Sequence, residues 1–172
     1  QLMKLHSANF SSFTTDSAMT MHRISPQKGI YNFEDADKAV QYTKENNQRI
    51  FGHNLIWHSS TPKWVKELTN DIKALDQFMK EYIQTDVGRY KGIVHGWDVL
   101  NEGMETVGGE YRKTLWYNAL GKEYISKAFR YAHEADPEAI LFYNDFNIER
   151  DTAKLHGVLS MIDELKQQGV PI

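Results

Sequence analysis

Four short apolar runs alternate with four longer stretches of helical periodicity, and this alternation limits the fold more than any other feature of the chain. The strand-like runs lie at 9–15, 49–57, 93–101 and 139–147. A helical pattern follows each one. The first, 33–46, places Ala36, Ala39, Val40 and Thr43 on one face, with Asn32 as its expected cap. The second, 71–90, carries Ile72, Leu75, Phe78, Met79, Ile83 and Val87 at mostly three- and four-residue spacing, with Asn70 as its cap. A short amphipathic segment, 63–68, precedes it after Pro62. The third runs over 112–135 as one helix, stopped by Asp136-Pro137. The fourth runs over 150–168 and ends at Gly169. Strand and helix alternating in this way call for an α/β fold with parallel strands and helical crossovers. Two architectures satisfy that: an open doubly wound sheet, or about four βα units of a (β/α)8 TIM barrel. The first strand-to-helix turn has no G-x-G-x-x-G, so a dinucleotide-binding sheet has no support.

Composition removes several function classes. At 172 residues the chain is one domain, and its 41% hydrophobic and 25% charged residues are those of a globular protein. A net charge of -3, without long single-sign blocks, argues against nucleic acid or an anionic membrane surface as partner. The chain has no Cys, which removes disulfides, thiolate metal sites and cysteine nucleophiles. No apolar run approaches the roughly 20 residues of a membrane span. No signal peptide is evident and the first residue is Gln, so a processed, trimmed or excised chain is expected.

Chemistry gathers at the same end of every strand. Asp16 and Ser17 close the first; His53, Asn54, Trp57 and His58 the second; Trp97, Asp98, Asn101 and Glu102 the third; Asn144, Asp145, Phe146 and Asn147 the fourth. Strand ends are often polar simply because they are wet, but in a parallel α/β protein these ends converge on one face, where ligands bind. Asn101-Glu102 is the most chemical pair. A carboxyl just past an apolar strand is placed for proton transfer, a neighbouring Asn can hold a substrate hydroxyl, and glycosidic cleavage needs such an acid plus a second carboxylate. Equally, such a Glu can serve only to cap its loop. His53 and His58, five apart without a carboxylate or thiolate set, do not read as metal ligands, and no metal or other cofactor is expected. Trp57 reads as a pocket wall or sugar platform. Trp64, Trp97 and Trp116 read as packing.

Several segments carry a resemblance. The stretch from Gly52 through His53, Trp57, His58 and Ser60 to Pro62 and Trp64 is similar to the third-strand signature of family 10 glycoside hydrolases, the endo-β-1,4-xylanases. Trp97-Asp98-Val99-Leu100-Asn101-Glu102 resembles their acid/base motif, and Phe142-Tyr143-Asn144-Asp145-Phe146-Asn147 their fifth-strand motif. Gly29-Ile30-Tyr31-Asn32-Phe33 and Ala135-Asp136-Pro137 match as well, so the likeness covers essentially residues 1–172 as a partial catalytic domain. It implies a (β/α)8 barrel and retaining hydrolysis of internal xylan bonds. It assigns Glu102 as the general acid/base. Substrate contacts are implied for His53, Trp57, Asn101 and Asn144, and at the aligned positions Asp16, Ser17 and Ser60. The partner implied is xylan or its oligosaccharides, at a secreted, periplasmic or cell-surface location suited to a wall polymer.

Departures from the family pattern shape the expectation. The usual Glu, Asn and Lys after the second strand are Asp16, Ser17 and Thr20; the usual Gln of the third-strand motif is Ser60; the usual Tyr of the fifth is Phe146. Each polar contact so lost is worth roughly 1–3 kcal/mol in a closed site. The family nucleophile, a Glu at the seventh strand, has no counterpart, since the alignment covers strands two to five. The remainder of the same barrel, or a second copy, is therefore an expected partner. A non-catalytic glycan-binding barrel and a purely structural half-barrel are the alternatives.

Overall fold

The computed structural model describes residues 2–172. Four parallel strands form one sheet in the order β1-β2-β3-β4: β1 Ser12–Thr14, β2 Arg49–Trp57, β3 Val94–Asn101 and β4 Ile140–Asn144. Helix α1, Leu2–Asn9, precedes β1; α2, Met21–Ile24, and α3, Glu34–Glu45, follow it. A 3-10 segment, Lys63–Asn70, and α4, Ile72–Arg89, connect β2 to β3. The helices α5, Leu115–Leu120, and α6, Glu123–Ala135, connect β3 to β4, and α7, Thr152–Gln167, follows β4. His53 pairs with Asp98 and Asp98 with Phe142, and after a register shift in each ladder Trp57 pairs with Asn101 and Asn101 with Asn144. The C-terminal ends of β2, β3 and β4 thus stand side by side.

Burial explains why these segments are helices. In α4, Leu75, Met79, Tyr82, Ile83 and Val87 are buried, and in α6 Tyr124, Ile125, Ala128, Phe129 and Ala132 are. These stripes pack on the sheet with Leu55, Ile56, Val99 and Leu100. Trp97 and Trp116 are fully buried, Trp116 donating its indole N–H to Thr61 Oγ1 at 3.0 Å. Trp64 donates to the Ser25 carbonyl at 3.1 Å and meets Phe78 edge to face. All three therefore pack, as their surroundings in the sequence suggest.

Close approach fixes one glycine. A Cβ on Gly52 would lie 2.2 Å from Trp97 Cε3, inside the ring's contact distance. Gly52→Ala is expected to lower stability by about 1–3 kcal/mol through this overpacking, measured by thermal or urea melting beside the wild type. An unchanged midpoint would show that the indole has room to move.

Five local expectations are corrected. Residues 2–9 form a helix and only Ser12–Thr14 pair as strand, because Asn9 closes α1 with its side chain on the Leu5 carbonyl at 2.8 Å. The single helix over 112–135 is two helices. Gly121 adopts φ +68° between them, a left-handed conformation that ends α5. Asp71, rather than Asn70, caps α4, accepting from the amides of Lys73 and Ala74. The fourth strand ends at Asn144, as the chain turns through Asn147 at φ +62°. Phe33 rather than Asn32 occupies the cap position of α3, and the Asn32 side chain accepts from the Glu34 amide from one residue earlier.

Candidate active site

The sheet edge places two rows of polar side chains. In the first, His53 Nδ1 meets Asp98 Oδ2 at 2.7 Å, which fixes the imidazole plane. Thr15, at the end of β1, accepts from the His53 amide at 3.0 Å and so ties the first strand to this row. Asn54 Nδ2 lies 3.2 Å from His53 Nε2. In the second row, Asn144 donates to Asn101 Oδ1 at 2.8 Å, orienting both amides. Asn101 is buried at 3% exposure, whereas Asn144 is open to the face. The Trp57 ring lies beside His53 and meets His58 edge to face, each with centroids 6.2 Å apart.

Glu102 is the first residue beyond β3, with φ +56°. Its backbone is held from both sides. The Glu102 amide donates to the Asn144 carbonyl at 2.9 Å, and Arg112 Nε donates to the Glu102 carbonyl at 3.0 Å. The side chain is 22% exposed, and its Oε2 is 4.0 Å from His58 Nε2. Burial, reinforced by the positive charge of Arg112, pulls the His58 imidazole below its ordinary pKa despite the opposing charge of Glu102. A neutral imidazole therefore borders the carboxyl at neutral pH. His58 Nδ1 is buried without a partner among the described residues, which leaves Nε2 as the natural N–H toward Glu102.

Three other carboxylates of this face are engaged. Asp98 holds His53, and Asp145 is buried with Lys154 at 2.7 Å. Glu105 lies 3.7 Å from Arg112. Among the described residues, no group of three His, Asp or Glu side chains is placed to hold a metal ion. No described helix is long and apolar enough to cross a membrane.

The structure gathers His53, Trp57, Asn101, Glu102 and Asn144 within these two rows. Asp16 and Ser17 stay exposed in the turn after β1, Asp16 at φ +50°. Ser60 is 1% exposed, and its hydroxyl and amide both turn back to the Trp57 carbonyl, shaping the turn after β2. Thr20 is likewise buried, its hydroxyl on the Ser17 carbonyl at 2.7 Å. Reading the sequence left Thr15, Asp98, Arg112, Tyr143 and Lys154 without a role. Asp98 had a usable signal, since it occupies the β3 position in register with His53. Lys154 had another, as it sits in the buried stripe of α7 with Val158, Met161 and Leu165.

The Glycosyl hydrolase family 10 model matches residues 1–172. The chain is 43% identical to Endo-1,4-beta-xylanase A of Caldicellulosiruptor sp. (strain Rt8B.4), an overlap of 100% of this chain and 26% of that protein. It is 39% identical to Endo-1,4-beta-xylanase B of Thermotoga neapolitana, covering 99% of this chain and 49% of the relative. The fold superposes on native xylanase 10B from Thermotoga maritima with a TM-score of 0.95 at 41% identity, over 99% of this chain and 52% of that one. Xylanase 10B from Thermotoga petrophila RKU-1, solved in complex with xylobiose, gives 0.94 at 41% identity over 98% and 51%. The chain thus spans about half or less of the length of these relatives, and its four βα units are part of a (β/α)8 barrel.

Proposed function

The chain belongs to glycosyl hydrolase family 10, and from that premise we propose that it is the acid/base portion of an endo-β-1,4-xylanase. The observation that carries the proposal is the seat of Glu102. It stands at the C-terminal edge of the sheet, with its backbone fixed from both sides, next to two ordered rows that can hold a sugar. Glu102 as general acid donates its proton to the glycosidic oxygen as that bond breaks. A carboxylate from the remaining βα units attacks the anomeric carbon and forms a glycosyl ester. Glu102, now ionised, takes a proton from water, which attacks the same carbon and releases the nucleophile. Net retention follows from two inversions.

The rows divide the work of binding. Asn101, oriented by Asn144, is placed to hold a hydroxyl of the sugar at the cleavage point. His53, held by Asp98 at Nδ1 and by Asn54 at Nε2, presents a fixed ring edge to the same sugar. Trp57 supplies an apolar ring for the sugar's C–H face. Asp16 and Ser17 offer short polar side chains at the rim. With Thr20 and Ser60 turned inward, fewer charged and amide groups reach the sugar beyond the cleavage point, so binding there leans on Trp57.

The partner we infer is the remainder of the same barrel. Among the described residues β1 and β4 each leave one edge unpaired, and on the sheet face Ile140 and Phe142 remain 56% and 38% exposed. Four more βα units would pair both edges and cover that face. Because xylan is a wall polymer, the proposed location is secreted, periplasmic or on the cell surface.

The test uses the barrel completed by its remaining βα units, in its own longer chain or supplied by a relative. Reducing-sugar release from xylan, beside titration calorimetry with xylo-oligosaccharides, is expected to show binding with turnover. Binding without release of reducing ends would favour a non-catalytic glycan-binding barrel. Neither binding nor turnover would leave a structural role.

A further inference from the structure

We propose that Tyr143, Asp145 and Lys154 are positioning residues for Glu102, a buried polar chain that holds the loop beginning at the acid/base. The proposal rests on the reading of Glu102 given above. Past Glu102 the chain leaves the sheet, and its amides must find partners elsewhere. The Glu102 amide takes the last rung, on Asn144. The Met104 amide donates to the Tyr143 hydroxyl at 3.1 Å. That hydroxyl donates in turn to Asp145 Oδ2, which sets its lone pairs toward Met104. Asp145 Oδ1 accepts from Lys154 Nζ at 2.7 Å and from the Phe146 amide at 2.8 Å. Both side chains of the ion pair are fully buried, and the ammonium also sits 4.2 Å from the centre of the Phe146 ring.

The far end of the loop is seated on the same helix. Asp151 caps α7 through the Lys154 amide, and its other oxygen accepts from the Gly108 amide at 2.8 Å. Gly109 and Gly157 touch backbone to backbone, where a Cβ on Gly157 would fall 2.5 Å from the Gly109 carbonyl. Residues 103–110 are therefore held at both ends, at Met104 by Tyr143 on β4 and at Gly108 and Gly109 by the start of α7. An ion pair buried this deeply is a poor device for stability, because apolar side chains of similar volume often serve as well or better. What it supplies is direction. Lys154 fixes Asp145, Asp145 fixes the Tyr143 hydroxyl, and that hydroxyl fixes the backbone two residues beyond Glu102.

A general acid displaced by about 1 Å can lose about 100-fold in rate. Tyr143→Phe in the completed barrel removes one oxygen and keeps the ring. It is expected to lower kcat on xylan by about 10–100-fold with KM within about twofold. On an aryl xyloside with a good leaving group, which needs no proton from Glu102 to break its bond, glycosylation should fall less than about threefold. Hydrogen exchange at the Met104 amide should accelerate in the same variant, independently of activity. Lys154→Met should give the same substrate split if it folds; Tyr143→Phe decides the matter if it does not. Equal losses on both substrates, or unchanged Met104 exchange, would overturn the proposal. A wild-type barrel that hydrolyses neither substrate would instead sink the xylanase reading, and Met104 exchange would still decide whether the tether exists.

Discussion

Replacing Glu102 by Ala in the completed barrel is expected to lower kcat on xylan by about 100- to 10,000-fold, the usual share of general acid–base catalysis. The loss should be far smaller for the first step on an aryl xyloside with a good leaving group, where departure needs little protonation. The second step still needs a base, so the glycosyl ester should accumulate and appear as a burst. Stopped-flow measurement of the released phenol reads both. The expectation follows from geometry. The Glu102 backbone is pinned by Asn144 and Arg112, so removing its side chain leaves the two polar rows intact and subtracts only the carboxyl. Equal losses on both substrates, with no burst, would mean that Glu102 holds the loop and does not transfer protons.

The second large effect concerns stability. Asp86 lies on the buried stripe of α4 and is fully buried, with Tyr82 donating to its Oδ2 at 3.4 Å and its Oδ1 without a partner among the described residues. Burial pushes its pKa up to about 8, against the weaker pull of the Tyr82 hydroxyl and of Arg89. The folded chain therefore keeps a proton that the unfolded chain gives up near the ordinary 3.8. Folding binds more protons between those limits, so this group's contribution is fully present below pH ~4 and is lost as pH rises toward ~8. At about 1.4 kcal/mol per pH unit, that span sets a ceiling of about 6 kcal/mol, which relaxation and water entry reduce. Asp86→Asn copies the protonated acid at every pH. It should match the wild type near pH 4 and exceed it by about 2–4 kcal/mol at pH 8, raising Tm of the completed barrel by about 3–6 °C. Urea melts of the completed barrel at both pH values check this. A variant no more stable at pH 8 would show that Asp86 is ionised and compensated in the folded chain.

Both residues show how far the sequence could be read. The βα alternation and the placement of β2 at 49–57 were legible because its buried positions, Ile50, Leu55 and Ile56 among them, make a mostly apolar run that is followed by turn and polar residues. The grouping of His53, Trp57, Asn101, Glu102 and Asn144 at one edge was legible for the same reason, since parallel strands bring their C-terminal ends together. Helix α1 was not, because 2–9 carries no clear apolar stripe. The break at Gly121 was missed because apolar residues continue on both sides of it. Ser60 and Thr20 align with substrate-gripping positions, yet their hydroxyls are short enough to turn back onto local carbonyls, which alignment cannot reveal. Asp86 and Lys154 are charges set within apolar helical stripes. That pattern marks a buried polar group, but only the fold supplies the partner: Tyr82 for one, Asp145 for the other.

That Glu102 serves as acid and then base in a double displacement is tested most directly by proton NMR of the first product formed from xylo-oligosaccharide by the completed barrel. The expected result is the β-anomer first, with the α-anomer appearing only as the sugar mutarotates. An α-anomer at first turnover would contradict the account, since it would place water, and not a protein carboxylate, at the anomeric carbon in the first step.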